Sequence, residues 1–349
     1  MLKKRILVAP LNWGLGHATR CIPIINALLD NNFEPILASD GEALALLKKE
    51  FPKLVTIELP SYNIKYSKKG WLLKWKLLAR LPHIRKTILK ERKQIPKIIE
   101  TFKICGIISD NRFGVYSKTV PSVYITHQLQ VLSGFTTFIS SAMHQYCMSK
   151  FTECWVPDIA GNNNLSGKLS RKSTNSIPIK YIGFLSRFKK TDSPFLADLL
   201  VLLSGPEPQR TILEKQVLQA LKAYKGKVVF VKGVVEQLQT ITKKENITLY
   251  NYMTTAQLES TINGCNVVLS RSGYTTIMDL VKLEKKAFFV PTPGQQEQEY
   301  LAKRLENLGH VLYCKQKDFS INKLNNIDLT TGFCALKAEV NYKKLFSLF

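Results

Sequence analysis

The chain has 349 residues, 45% hydrophobic and 22% charged, with a formal net charge of +24. That length suits two domains, and that balance suits a soluble globular protein rather than a disordered or fibrous one. No stretch reaches the roughly 18–20 uninterrupted apolar residues of a spanning helix, and the basic surplus favours an anionic partner over a neutral one.

In chain order, Met1–Arg5 and Ile6–Ala9 imitate the start of a signal peptide, but the apolar run is too short and reads as a first strand. It breaks at Asn12-Trp13-Gly14-Leu15-Gly16-His17, and a helix continues through Ile22–Asn31. Strands at Glu34–Ser39 and Leu54–Leu59 enclose a helix at Glu42–Glu50, and a long helical region closes at Gln94–Thr101. Strands follow at Ile107–Ser109, Val123–Thr126 and Glu153–Val156, then a polar loop over 160–180 and a strand at Ile179–Ile182. The second half repeats the plan. Strands at Leu199–Leu203, Lys227–Val231, Ile247–Tyr250, Val267–Leu269, Ala287–Val290 and His310–Tyr313 alternate with helices at Thr211–Ala223, Thr255–Thr261, Tyr274–Leu283 and Glu297–Asn307. This alternation predicts an α/β protein with two doubly wound parallel sheets. The expected bounds are a first domain over 1–185, a linker over 186–196, a second domain over 197–334 and a helical tail over 335–349 that returns to the first domain.

Residues 65–95 concentrate lysine and arginine around Trp71, Leu72, Leu73, Trp75, Leu77, Leu78 and Leu81. Such a stretch suits an interfacial helix on anionic membrane. An ordinary amphipathic helix packed on its own domain has the same period, so both readings stand. The seven cysteines form no Cys-x-x-Cys pair. Reduced thiols in a cytoplasmic protein are the expectation, and a structural zinc is not.

Two glycine-hinged strand-to-helix turns carry the chemistry. A strand that breaks at glycine and opens a helix directs backbone N–H groups at one spot, a seat for phosphate. The first turn holds Gly14, Gly16 and His17; Thr19 stands where a dinucleotide fingerprint needs a third glycine. The stretch from Gly161 to Gly167-Lys168 has one residue too many for a Walker A loop. What remains is an imidazole at a helix start, where the dipole disfavours its protonated form, so His17 reads as a catalytic base or as a capping side chain. The second turn, Ser270-Arg271-Ser272-Gly273-Tyr274-Thr275, can take a diphosphate, with Asp279 in reach of ribose hydroxyls. Ser204, Gly205, Arg210, Tyr252 and Met253 are candidates for the base and phosphate ends of a nucleotide. Pro291-Thr292-Pro293-Gly294-Gln295-Gln296-Glu297-Gln298 offers amides and carboxylates to sugar hydroxyls. No Asp-x-Asp occurs, so backbone dipoles and basic groups are expected to stabilise a leaving diphosphate, with no metal and no cofactor beyond the donor.

These motifs resemble glycosyltransferase family 28, a group of GT-B enzymes. Gly14-Leu15-Gly16-His17 is similar to its N-terminal glycine turn, Tyr252-Met253 to its uracil segment and Ser270–Thr275 to its diphosphate turn. Asp279 stands where the family carries a ribose-binding glutamate, and Glu297-Gln298 matches its sugar-binding pair. His127-Gln128 resembles a His-Glu-Gln segment facing the acceptor, and Asp110 joins it on that side. The resemblance implies a GT-B fold, two Rossmann-like domains with an interdomain cleft. It also implies an inverting, metal-independent transfer of a hexose or N-acetylhexosamine from a UDP-sugar to a lipid-linked or cell-envelope glycan acceptor. The expected location is cytoplasmic, with peripheral contact at the inner membrane face through residues 65–95. The stretch from Gly14 to Cys21 also resembles a pseudaminic-acid pathway nucleotide-sugar hydrolase, and a sugar-nucleotide 2-epimerase shares the fold. A non-catalytic binder of nucleic acid is set aside, because no recognised motif or strand-borne stacking aromatics accompany the basic residues.

Overall fold

The computed structural model describes residues 3–63, 81–130, 137–171, 177–234, 236–334, 336 and 338–349. These divide into two compact units, one running to Ser186 and completed by Ala338–Phe349, the other Arg187–Lys337. Both are α/β.

The first unit runs β1 (Lys4–Pro10), α1 (Gly16–Asp30), β2 (Phe33–Ser39), α2 (Gly41–Glu50), β3 (Thr56–Glu58), α3 (Leu81–Phe102) and β4 (Ile104–Asp110). It continues with β5 (Ser122–Ile125), α4 (Thr137–Met148), β6 (Glu153–Val156) and β7 (Ile179–Tyr181). Its sheet has the order β3-β2-β1-β4-β5-β6-β7 and is wholly parallel. Five consecutive buried residues end β1 and five end β4, as a sheet covered on both faces requires. On α3 the buried positions are Thr87, Glu91, Ile95 and Ile98, one face at helical spacing.

The second unit runs β8 (Ala197–Leu202), α5 (Gln209–Leu221), β9 (Val228–Val231), β10 (Ile241–Lys244), β11 (Ile247–Tyr250), α6 (Thr255–Asn263) and β12 (Cys265–Ser270). After it come α7 (Tyr274–Lys282), β13 (Lys286–Phe289), α8 (Gln296–Asn307), β14 (Leu312–Tyr313) and 3-10 turns over Gln316–Asp318 and Ile321–Leu329. The sheet order is β10-β11-β9-β8-β12-β13-β14, parallel except for the antiparallel edge strand β10. Both sheets are doubly wound, as the alternation predicts.

Several elements depart from expectation. Helix α4 was not anticipated, because Thr137–Met148 mixes apolar and polar residues without a clear stripe. Nor was the hairpin β10–β11, which turns on Glu245 at φ 53°, a backbone that glutamate seldom adopts. The tail is helical only over Tyr342–Phe346, labelled α9. It packs Phe346 against Phe33 and Trp155, and it sets Phe349 into the space left by Gly106, where a Cβ would meet the ring at 2.3 Å. That contact lies at the starts of β2 and β4, so the tail closes the end of the sheet opposite its C-terminal strand tips. Residues 65–80, which carry Trp71 and Trp75 of the proposed interfacial stretch, lie outside the described residues, as do residues 172–176 of the polar loop.

At the C-terminal edge of the first sheet a buried network ties four strand ends together. The Arg112 guanidinium, wholly buried, donates to Glu91 Oε1 at 2.7 Å, Asp40 Oδ1 at 2.8 Å and the Pro60 carbonyl at 2.7 Å. Tyr62 donates its hydroxyl to Glu91 Oε2 at 2.7 Å, and the Gly114 N–H reaches the same oxygen. Asn12 spans to Asp40 and to the Ala43 N–H, fixing the loop that follows β1. A buried pair of this kind is costly to break from one side. Glu91→Ala is expected to lower the free energy of unfolding by on the order of 3 kcal/mol in urea melts. Asp328→Ala, which removes the exposed Lys286–Asp328 pair, is expected to cost less than about 1 kcal/mol. Equal effects of the two changes would contradict this account of the network.

Candidate active site

In an open parallel sheet, ligands bind at the carboxyl ends of the strands where the order reverses. In the first sheet that point lies at the neighbouring strands β1 and β4. The loop after β1 delivers His17, the second residue of α1, and the end of β4 is Asp110. Gly14 makes the turn at φ +74° with no atom within 4 Å of where a Cβ would stand, so the glycine is required by conformation rather than by crowding. Helix α1 starts with no side-chain cap and no acidic residue in its first turn.

His17 Nδ1 lies 2.9 Å from Asp110 Oδ1 and 2.9 Å from Arg20 Nη2. Arg20 is one turn on from His17, at the spacing that puts both side chains on one helix face. Its Nε and Nη2 donate to the two oxygens of Asp110, and Nη1 lies 3.2 Å from His127 Nδ1. Asp110 is fully buried and Arg20 is 2% exposed, whereas the His17 side chain keeps 16%. The imidazole is therefore the member of this cluster that a ligand can reach. Burial would raise the Asp110 pKa, but Arg20 first and His17 second reverse this and hold it well below the usual carboxylate range. Burial lowers the His17 pKa below its ordinary 6.5; Asp110 pulls it back up and Arg20 opposes that pull. The net result is a neutral imidazole over an ionised carboxylate at neutral pH.

A second chain of polar contacts leads inward. Asn111, in the left-handed region at φ 58°, places Nδ2 3.2 Å from Asp110 Oδ1 and 3.4 Å from His17 Nδ1. Its Oδ1 accepts from the Tyr124 hydroxyl at 2.9 Å, and that hydroxyl lies 3.2 Å from His144 Nε2. His144 is 8% exposed, and its Nδ1 has no hydrogen-bond partner among the described residues. Burial, aided by His127, lowers its pKa to about 4.

In the second sheet the order reverses at β8 and β12. Ser204 and Gly205 follow β8 and are exposed, with Gly205 at φ +101°. Tyr252 and Met253 follow β11 on the same edge, half-buried, and the Tyr252 carbonyl accepts from Gln239 at 2.7 Å. After β12, Ser270, Arg271 and Ser272 are buried, and Gly273 caps α7 with neither a side-chain hydrogen bond nor an acidic residue in the first turn. The other helix starts of this unit are already served. Glu207 takes the Thr211 N–H at α5, Thr254 and Gln257 form a capping box at α6, and Glu297 and Glu299 stand in the first turn of α8. Helix α7 carries no acidic residue in its first turn, so no carboxylate of its own opposes the positive end of its dipole there.

Asp110 and His127, placed on the acceptor side by the sequence, are buried; Asp110 lies directly against His17 and accepts from Arg20, and His127 lies against Arg20. Gln128 follows half-buried on the same loop. Arg210, expected at the phosphates, is 9% exposed and held by Glu207 and by Glu214 at 2.8 Å. Gln298 accepts the Thr292 N–H on its side-chain carbonyl at 2.8 Å, which fixes the orientation of its amide. Glu297, Thr275 and Asp279 are half-buried, and Tyr274 is buried. Arg20 and Asn111 were missed. A lone arginine one turn after His17 within Ala18-Thr19-Arg20-Cys21-Ile22 was the available signal, since an arginine in an apolar stretch needs a buried partner.

Residues 207–331 match the Glycosyltransferase family 28 C-terminal domain. The chain is 23% identical over 337 residues to a UDP-N-acetylglucosamine–N-acetylmuramyl-(pentapeptide) pyrophosphoryl-undecaprenol N-acetylglucosamine transferase of Clostridium tetani, covering 93% of this chain and 90% of that one. The Haemophilus ducreyi protein of the same name is 22% identical over 255 residues, covering 69% and 68%. Among solved structures, the glycotransferase of kitacinnamycin superposes with TM-score 0.67 at 13% identity, covering 100% of this chain and 94% of that one. Acinetobacter baumannii MurG superposes with TM-score 0.55 at 13% identity, covering 99% of each. These likenesses place both units in the GT-B fold.

The buried His144 has a consequence for stability. Its folded pKa of about 4 lies below the ordinary 6.5, so between those pH values the unfolded chain holds the extra proton. Stability is expected to fall as pH drops through this window, by on the order of 3 kcal/mol from this group, and to level off below it. His144→Phe is expected to reduce the pH slope of the unfolding free energy by about one proton. An unchanged slope in urea melts between those pH values would contradict the assignment.

Proposed function

We infer that this chain, a family 28-like GT-B glycosyltransferase, transfers a hexose or N-acetylhexosamine from a UDP-sugar to a lipid-linked or cell-envelope acceptor, with inversion and without a metal. The substrates in the names of its relatives, UDP-N-acetylglucosamine and a pyrophosphoryl-undecaprenol acceptor, supply the classes of donor and acceptor. The observation that carries the chemistry is the neutral, partly exposed imidazole of His17 on the ionised carboxylate of Asp110.

In this reading His17 gives its Nδ1 proton to Asp110 as a hydrogen bond and keeps the Nε2 lone pair for the acceptor. Nε2 takes the proton of the acceptor hydroxyl as its oxygen bonds to the anomeric carbon. The bond from that carbon to the diphosphate oxygen breaks, and its electron pair leaves with UDP. One displacement inverts the anomeric centre. The charge developing on the diphosphate is met by the N–H groups that open α7 and by its dipole. The Asp110 carboxylate steadies the imidazolium after transfer, while Arg20 keeps Asp110 from taking the proton itself.

The reading extends to location. No helix among the described residues is long and apolar enough to cross a membrane. Helix α3 exposes Leu81 at 39% and Leu89 at 46%, with Arg85 and Lys86 also on its surface. That supports peripheral contact of residues 65–95 with anionic lipid at the cytoplasmic face. The hydrolase and 2-epimerase alternatives draw no support from the relatives, whose names are those of transferases.

His17→Ala is expected to lower the turnover of radiolabelled UDP-N-acetylglucosamine with a polyprenyl-diphosphate glycan by about 10²–10⁴-fold. UDP affinity is expected to stay within about threefold, because the nucleotide seat lies in the other unit. Loss of UDP binding would contradict the base role, and release of free sugar at the same rate without acceptor would convert the reading to a hydrolase.

A further inference from the structure

The strand ends of the second unit hold Arg271 as well as Arg210, and these two arginines are paired very differently. Arg210 and Lys232 face Glu207 and Glu214, two positive groups against two negative ones. That cluster presents little net charge to a ligand. Arg271 is 1% exposed and forms no ion pair with any carboxylate among the described residues. Its Nη1 donates to the carbonyls of Val290 and Pro291 at 2.9 and 3.0 Å, and its Nη2 donates to the Gln209 carbonyl at 2.8 Å. Its Nε has no hydrogen-bond partner among the described residues. Burial lowers its pKa to about 10, which still leaves it charged at neutral pH.

Those three carbonyls come from two segments remote in sequence. Val290 and Pro291 follow β13, Gln209 opens α5, and Arg271 itself follows β12. Around the same cluster the Ser272 hydroxyl donates to the Gln298 carbonyl at 2.8 Å. The Thr292 hydroxyl oxygen stands 3.7 Å from the Cβ position of Gly205, the residue after Ser204 at the end of β8. One guanidinium therefore braces the loops that frame the start of α7. Carbonyl dipoles solvate the ion without neutralising it, and a buried charge is screened little by salt.

We propose that Arg271 is a positioning residue for the departing diphosphate, bracing the loops after β12 and β13 and the start of α5 and setting one uncompensated positive charge beneath them. This rests on the reading above that a UDP-sugar is the donor and that its diphosphate sits at the start of α7. The phosphates do not touch Arg271. They feel its field, added to the α7 amides, at the place where a cation would otherwise offset their charge.

The test is calorimetric titration of the full chain with UDP and with uridine, in wild type, Arg271→Gln and Arg271→Lys, after thermal melts establish that each variant is folded. Arg271→Gln is expected to lose about tenfold or more in UDP affinity while uridine affinity changes by less than about twofold. Arg271→Lys, which keeps the charge, is expected to retain more of the preference for UDP than Arg271→Gln does. Parallel loss of UDP and uridine binding in Arg271→Gln, or an unchanged ratio of the two, overturns the proposal. Should the variants fail to fold, the wild-type preference for UDP over uridine decides the matter. It is expected to weaken by less than about threefold between low and about 0.5 M salt, and a steep loss assigns the phosphates to surface lysines instead. Failure of the wild type to bind either compound overturns the donor reading itself rather than the role of Arg271 within it.

Discussion

The Asp110 carboxylate is the constraint on which the first unit's chemistry depends. It is fully buried at the tip of β4, and a bare carboxylate there would be neutralised by protonation. Arg20 prevents this by holding both oxygens, which keeps the group ionised. A fixed anion in that place orients His17 and offers it a stabilised protonated state. Burial above all, with the same arginine adding to it, pushes the His17 pKa down, so the imidazole stays neutral until a proton arrives. Buried ion pairs are often no more stabilising than apolar residues of similar size. This one is better understood as the device that sets the protonation state of its exposed neighbour.

The fold makes that device possible. Reversal of the strand order at β1 and β4 brings the start of α1 beside the end of β4, though they are far apart in sequence. The Arg112–Glu91–Asp40 network fixes the neighbouring loops, and the C-terminal tail closes the opposite end of the sheet. The second unit repeats the topology with a different chemistry. Its reversal point presents a helix start without an acidic residue in the first turn and a buried arginine, both suited to negative charge. In the proposed reaction one unit supplies the base and the other the anion seat, and a transferase with an activated diphosphate donor needs both.

Much of this was legible in the sequence, for physical reasons. Parallel strands buried on both faces read as short apolar runs, so β1, β4, β8 and β12 were found, and the glycine turns after β1 and β12 marked the two reversal points. The partners of His17 were not legible. Contact between Arg20 and Asp110 spans 90 residues, and nothing local in either residue announces it. The burial of Asp110 and His127 was not legible, because burial has no sequence signature for a polar residue at a strand end. Helix α4 lacks a stripe, and the β10–β11 turn uses a glutamate where glycine or asparagine would have signalled it. The two glutamate partners of Arg210 were likewise not read from the sequence.

The central claim is a protonation state and a tautomer: at rest, His17 is neutral, with its proton on Nδ1 facing Asp110. Nitrogen-resolved NMR of histidine-labelled protein, with His17 assigned by substitution, reads both directly. The account requires the Nδ1–H tautomer at neutral pH and titration below the ordinary 6.5. An Nε2–H tautomer, with Nδ1 accepting from Arg20, or an imidazolium already formed at neutral pH would contradict it.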